Sequence, residues 1–212
     1  MTRMQYDLTI IGGGSGGLTA ARLATSLGAN VLLIDKERLG GDCLHYGCVP
    51  SKSLIYAARV AQQTRDAARL GLPPTTLGID MAKVSRHIQE VIRRVAENEQ
   101  ASIEGVTVKF GTVSFASSHE LLLNEERITS RNFLIATGSR PLVPRIEGLE
   151  EVGYLTNESV FDLQHVPASL VVVGGGPIGV ELGQSFSRLG SNVTILEGLD
   201  CILPREDPEV SA

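Results

Sequence analysis

Leu8-Thr9-Ile10-Ile11-Gly12-Gly13-Gly14-Ser15-Gly16-Gly17 is the stretch that decides the fold. Its first four residues read as a strand of a parallel sheet, which is covered on both faces and so shows a continuous apolar run. The glycines break that strand, and residues 18–27 then read as a helix stopped by Gly28. A second apolar run, Val31-Leu32-Leu33-Ile34, completes a βαβ unit. The turn spells G-x-G-x-x-G at Gly12, Gly14 and Gly17. The first glycine permits a tight turn, the second lets backbone approach a pyrophosphate, and the third lets the helix pack on the strand. Ser15 and Gly16 lie where the helix N-terminus offers free N–H groups and a partial positive charge to phosphate. Asp35, followed by Lys36, stands 23 residues after Gly12, where a carboxylate accepts hydrogen bonds from ribose hydroxyls.

The same pattern returns 162 residues later. Between residues 8–35 and 170–197, nine of 28 aligned positions are identical without a gap: Leu8, Gly12, Gly13, Gly14, Gly17, Leu27, Gly28, Asn30 and Val31. The second fingerprint is Gly174, Gly176 and Gly179, with Ile178 inside it and Glu197 in the place of Asp35. Strand, helix, acid and repetition make two mononucleotide-binding units, and two dinucleotides in one chain suggest a flavin and a nicotinamide exchanging hydride. At the second site Glu197 would repel a 2′-phosphate, and Gly198-Leu199-Asp200 supplies no arginine, which favours NAD over NADP, although Arg205 is near enough to intrude.

Between the units, the pattern predicts helices over residues 51–63 and 82–103, separated by a break over 71–78 that holds Pro73 and Pro74. Short strands at 106–110, 113–115, 121–123 and 133–136 predict a small β-meander that returns to the main sheet. Pro141, Pro144 and Pro167, with Gly138, Gly148 and Gly153, mark a domain boundary. The expected division is 1–148 and 149–212. The fold class is α/β, with tandem Rossmann-like units.

The chain has 212 residues, 23 of them glycine, and a net charge of −5, which argues against nucleic acid or an anionic membrane as partner. Forty-two per cent of residues are hydrophobic and 20% charged, enough for a packed core and unlike a disordered chain. No run approaches the roughly 18 apolar residues of a membrane span. Residues 1–7 do not read as a signal peptide, so a cytoplasmic location is expected.

Gly40-Gly41-Asp42-Cys43-Leu44-His45-Tyr46-Gly47-Cys48-Val49-Pro50-Ser51-Lys52 is the most chemical segment. Cys48 precedes a helix opened by Pro50, a position that favours a thiolate, and Lys52 adds positive charge one turn on. So small a disulfide loop would add little stability, so in a cytosolic chain the pair argues for redox chemistry. Two other readings stand beside it: a metal-binding module at Cys43, His45 and Cys48, and a non-catalytic dinucleotide sensor with a cysteine switch. No metal site is assigned. Cys201, alone, reads as a buried or incidental thiol.

Together, the two fingerprints, the segment from Gly40 to Lys52 and Ala136-Thr137-Gly138-Ser139-Arg140-Pro141 resemble class I pyridine nucleotide–disulfide oxidoreductases, which include dihydrolipoamide dehydrogenase, glutathione reductase and mercuric reductase. Residues 182–191 look closest to mercuric reductase-like members. The resemblance implies FAD at the first unit and NAD(P)H at the second. Asp35 would hold the adenosine ribose, and Gly41 and Asp42 would lie along the ribityl–pyrophosphate chain. Ala136, Thr137 and Gly138 would close over the flavin, and Thr112 and Val113 would offer backbone to adenine. It further implies that Cys48 is the flavin-proximal thiol and Cys43 the distal thiol exchanging with substrate. Lys52 would sit by the flavin and pair with Glu181. The implied activity is a relay of reducing equivalents from NADH through FAD to a Cys43–Cys48 disulfide, then to a disulfide or metal-ion acceptor. Family chains are far longer homodimers, so the chain is expected to be an N-terminal portion, inactive alone, whose second domain is truncated.

Overall fold

The computed structural model describes residues 4–73 and 75–211. Residues 1–3 of the expected leaderless N-terminus, Pro74 of the expected break, and Ala212 lie outside the described residues. Contacts divide the chain into two compact units, Met1–Gly47 with Ile92–Asn157, and Cys48–Val91 with Glu158–Ala212.

In the first unit, β1 (Tyr6–Ile11), α1 (Ser15–Ser26) and β2 (Val31–Asp35) form the βαβ motif expected, with β1 and β2 parallel and Leu8 opposite Val31. Gly28, at φ +85°, ends the helix region in the left-handed conformation. The sheet order is β3 (Thr107–Phe110), β2, β1, β6 (Glu126–Ile135), β5 (Glu120–Leu123), β4 (Val113–Ser117). Strand β6 joins two sheet regimes. It pairs antiparallel with β5 through Thr129, then parallel with β1 from Ser130 to Ile135. The β-meander therefore returns to the main sheet through a single ten-residue strand rather than the four-residue one expected.

The parallel strands are covered on both faces, which is why they read as uninterrupted apolar runs. One face packs Ile10, Val31 and Leu33 on Leu18 and Ala21 of α1, with Leu39 and Ile103. The other packs Ile11, Leu32 and Ile34 on Leu121, Leu123 and Ile128 of the meander. Within the glycine- and cysteine-bearing segment lies a short helix, α2 (Gly41–His45).

The second unit is built on α3 (Cys48–Asp66), a 3-10 turn at Ala67–Leu70, and the parallel pair β7 (Ser169–Val173) and β8 (Asn192–Leu196) with α6 (Pro177–Leu189) between them. Helix α3 begins two residues before Pro50, so Cys48 is its first residue. Helix α4 (Met81–Ala101) contributes its first half to this unit and its second half to the other. Met81, Ser85, Ile88 and Ile92 form its buried stripe, at the spacing of one helix face. A second 3-10 turn (Val160–Asp162) and the single-turn helix α7 (Pro208–Ser211) also lie in this unit, and the single-turn helix α5 (Leu149–Val152) lies in the first. The chain is thus α/β, with tandem Rossmann-like units and a small meander.

Candidate functional site

The first glycine turn is enclosed by backbone. Gly12 has φ +109°, and a Cβ there would lie 2.1 Å from the Ala136 carbonyl oxygen and 2.9 Å from the Thr137 nitrogen. Glycine is therefore obligatory, and its absent side chain brings Ala136 and Thr137 onto the turn. A Cβ at Gly17 would lie 1.8 Å from the Gly12 carbonyl oxygen, the close helix–strand approach that the third glycine permits. The loop before α2 rests on the same turn. The Gly40 amide donates to the Gly13 carbonyl at 2.7 Å, and a Cβ on Gly41 would lie 2.7 Å from Gly14 Cα. The cysteine-bearing helix thus starts in backbone contact with the glycine turn.

This cradle suits a dinucleotide phosphate. Gly14 caps α1 with no side-chain hydrogen bond, and no acidic residue stands in the first turn. Ser15 and Gly16 are exposed, and a Cβ at Gly16 would meet nothing within 4 Å. The first amides of α1, which lack intrahelical partners, are left for an anion.

Asp35 is the hub of the turn. Its Oδ2 accepts from the Gly13 amide at 2.7 Å, and its Oδ1 accepts from the Glu37 and Arg38 amides at 3.0 and 3.1 Å. The carboxylate is thus oriented by three amides before any ligand meets it. Lys36 is exposed beside it. The Gly111 amide donates to the Asp35 carbonyl at 2.9 Å, bringing Thr112 and Val113 to the same end of the sheet. Thr112 is engaged by Asn124 on both sides, its amide donating to Asn124 Oδ1 and its carbonyl accepting from the Asn124 amide. Thr137 and Gly138 are exposed where the chain leaves β6.

Cys43 lies within α2, half-buried, and Cys48 opens α3, exposed; both are thiols. His45 Nε2 donates to the Leu39 carbonyl at 2.8 Å, which leaves Nδ1 as the unprotonated nitrogen. Burial is the main cause that lowers the His45 pKa below 6.5, with Arg38 adding to it; the Leu39 bond and Asp35 oppose. Among the described residues no group of three or more His, Cys, Asp and Glu could hold a metal ion, so the metal-module reading of Cys43, His45 and Cys48 finds no support. Cys201 is exposed, not buried.

In the second unit, Lys52 Nζ binds Glu181 with both carboxylate oxygens, at 2.7 and 2.9 Å. Lys52 stands on the second turn of α3 and Glu181 on the second turn of α6. The Arg65 guanidinium, near the end of α3, donates to the Arg188 carbonyl, near the end of α6. The two contacts make the helices run in the same sense, so both N-termini lie at one end.

The second glycine turn repeats the first. A Cβ at Gly179 would lie 2.1 Å from the Gly174 carbonyl oxygen, whereas one at Gly174 or Gly176 would meet nothing within 4 Å. Gly176 caps α6 without a side-chain bond, and Ile178 is exposed in its first turn. Glu197 Oε2 accepts from the Gly175 amide at 2.7 Å, as Asp35 does from Gly13. The Gly198 and Leu199 amides bond its other oxygen at 2.7 and 3.1 Å. The Gly175 bond first, then that of Leu199, holds its pKa below 4.5.

Sequence reasoning missed how far the repeat extends. The Leu203 amide donates to the Gly175 carbonyl at 2.8 Å, and Ile202 Cγ2 would lie 2.8 Å from a Gly175 Cβ. Gly40 and Leu39 do the same to Gly13, with Leu39 Cδ2 2.5 Å from a Gly13 Cβ. One extra residue in the second copy and unlike side chains hid the match. An apolar residue followed by a left-handed one, Gly40 at φ +109° and Leu203 at φ +53°, is the signal that remained.

Comparison with known proteins agrees. A mercuric reductase from Staphylococcus aureus is 35% identical over 209 residues, a match that covers 97% of this chain and 38% of that protein. A dihydrolipoyl dehydrogenase from Acholeplasma laidlawii is 35% identical over 213 residues, covering 97% and 63% respectively. Among solved structures, a Cu(II) complex of the HOCl-induced flavoprotein disulfide reductase RclA from Escherichia coli, in a Cys-to-Ser variant, has a TM-score of 0.82 at 28% identity. It matches 98% of this chain, which spans 45% of its length. Residues 6–212 fit the family described as pyridine nucleotide-disulphide oxidoreductase. With the cysteine segment lying between two glycine cradles, the chain belongs to the pyridine nucleotide-disulphide oxidoreductase family.

Proposed function

We propose that this chain carries the cofactor-binding and redox-cysteine part of an FAD-dependent, NADH-consuming disulfide oxidoreductase. The observation that carries the reading is the contact of Gly41 with Gly14: the helix bearing Cys43 is seated on the turn whose amides are open to a dinucleotide. Gly12, Gly14, Ser15, Gly16, Gly17, Asp35, Lys36, Gly41, Asp42, Thr112, Val113, Ala136, Thr137 and Gly138 would hold FAD, within a domain of residues 1–148. Gly174, Gly176, Ile178, Gly179 and Glu197 would hold NADH, in the domain that begins at 149. When bound, FAD supplies two-electron carriage between a reduced nicotinamide and the Cys43–Cys48 pair.

The protein's own residues have definable tasks. Amides at the start of α1 neutralise phosphate charge, and Asp35, held by three amides, orients a ribose. The fixed negative charge of Glu197 disfavours a 2′-phosphate. Lys52, its charge oriented by Glu181, stabilises negative charge beside it. Cys48, at the first position of α3, has the helix N-terminus to stabilise its thiolate, and Cys43 exchanges with the acceptor. The acceptor is a disulfide or a metal ion, and the protein acts as a cytoplasmic homodimer; among the described residues no helix is long and apolar enough to cross a membrane.

Purified full-length protein is expected to be yellow and to develop a long-wavelength charge-transfer band with NADH. In the full-length protein, Cys48→Ser is expected to keep the yellow colour and lose NADH-dependent disulfide reduction. Folded, colourless full-length protein that takes up no added FAD refutes the reading.

A further inference from the structure

Tyr46 ends α2 and stands midway between the two cysteines, and it is tied down four ways. Its amide donates to the Asp42 carbonyl at 2.8 Å, and its carbonyl accepts from Asn157 Nδ2 at 3.2 Å. The Arg38 guanidinium lies 5.1 Å over its ring, and Arg38 Nη2 donates to its hydroxyl. Arg38 is itself anchored, its amide donating to Asp35 Oδ1 at 3.1 Å. The segment is folded back on itself: a Cβ at Gly47 would lie 3.0 Å from the Asp42 carbonyl oxygen and 3.2 Å from Cys43 Cα. Gly47, the residue next to Cys48, is thus held against Cys43, and the Arg38–Tyr46 stack pins that turn to the carboxylate hub.

We propose that Arg38 and Tyr46 are positioning residues that hold the segment between Cys43 and Cys48 folded for closure of their disulfide. The inference rests on reading the two cysteines as a redox pair. A disulfide needs its Cα atoms within about 7 Å, so a segment free to extend spends most of its time unable to close. Fixing the fold-back raises the effective concentration of one thiol at the other, as preorganisation does for any intramolecular reaction. Closure removes two protons and two electrons from the thiols; in the assay below oxidised glutathione takes both and becomes two molecules of glutathione.

The test is the thiol–disulfide equilibrium of the purified chain in glutathione buffers, acid-quenched and read by alkylation and peptide mass. Losing the stack and the charged hydrogen bond is expected to lower the equilibrium constant for closure about tenfold in Tyr46→Leu and in Arg38→Gln. Tenfold is about 30 mV for this two-electron couple. The double variant is expected to fall no further than either single, because one contact is shared. Arg38→Lys, which keeps a cation over the ring, is expected to recover part of the loss. Arg38 is exposed, so its variants carry the test should Tyr46→Leu fail to fold. Singles within twofold of the parent, or a double whose loss is the sum of both, overturn the clamp while leaving the redox pair standing. A parent chain that forms no Cys43–Cys48 disulfide at any glutathione ratio overturns the redox reading and the clamp with it.

Discussion

Gly41→Ala tests the seating of the cysteine-bearing helix on the glycine turn. Gly41 has φ +59°, a conformation that costs a side-chain-bearing residue about 1–2 kcal/mol. Its new Cβ would lie 2.7 Å from Gly14 Cα, where carbon atoms rest at roughly 3.5–4 Å, and backbone on both sides leaves no flexible end to yield. Overpacking of that kind typically costs about 1–3 kcal/mol. Together these predict a loss of about 3 kcal/mol, or a melting temperature lower by roughly 6–12 °C for a chain of this size. Gly16→Ala is the control, since its Cβ meets nothing within 4 Å in the exposed first turn of α1, and it should be neutral or stabilising by up to about 1 kcal/mol. Urea unfolding followed by circular dichroism measures both, and FAD uptake should fall in Gly41→Ala. A Gly41→Ala chain within about 0.5 kcal/mol of the parent refutes the contact.

Four further outcomes are expected. Lys52→Met should change stability by less than about 1 kcal/mol, because the Lys52–Glu181 pair is largely exposed, yet sharply slow NADH-dependent turnover of the full-length enzyme. Thr9 is fully buried with its hydroxyl unpartnered, so Thr9→Val should stabilise the chain by about 1 kcal/mol in the same urea assay. His45 has a folded pKa below the ordinary 6.5, so the folded state binds its proton less readily than the unfolded chain. Its stabilisation is complete above 6.5 and is lost as pH falls from there through the folded value; His45→Gln should flatten that part of the melting-temperature profile. Glu197, lowered from 4.5, keeps its charge as pH falls through that value, and Glu197→Gln in the full-length enzyme should narrow the preference for NADH over NADPH about tenfold in kcat/KM.

The βαβ units were legible because three constraints coincide in them: apolar runs, glycines at fixed offsets, and a terminal acid. The structure adds the physical reason for the first glycine of one turn and the third of both, from the Ala136 carbonyl against Gly12 to the Gly12 and Gly174 carbonyls against Gly17 and Gly179. The Lys52–Glu181 pair was readable only through family resemblance, since 129 residues separate the partners and nothing local announces it. The first seven residues of β6 were not legible as strand. Glu126, Arg127, Thr129, Ser130, Arg131 and Asn132 have no apolar run, and they extend because β5 and then β1 take their backbone groups. Helix α2 was hidden by its opening glycines, which sit at φ +109° and +59° and read as loop. The amide clamp on each terminal acid was hidden too. The sequence shows a carboxylate facing a ligand, while the fold shows it first bonding its own glycine loop.

The most direct test of the electron relay is an anaerobic titration of FAD-loaded full-length protein with NADH, followed by alkylation and peptide mapping of the thiols. Starting from oxidised protein, two new alkylation sites per chain should appear, at Cys43 and Cys48, with Cys201 unchanged throughout. Oxidation of NADH that leaves Cys43 and Cys48 unalkylated would contradict the account.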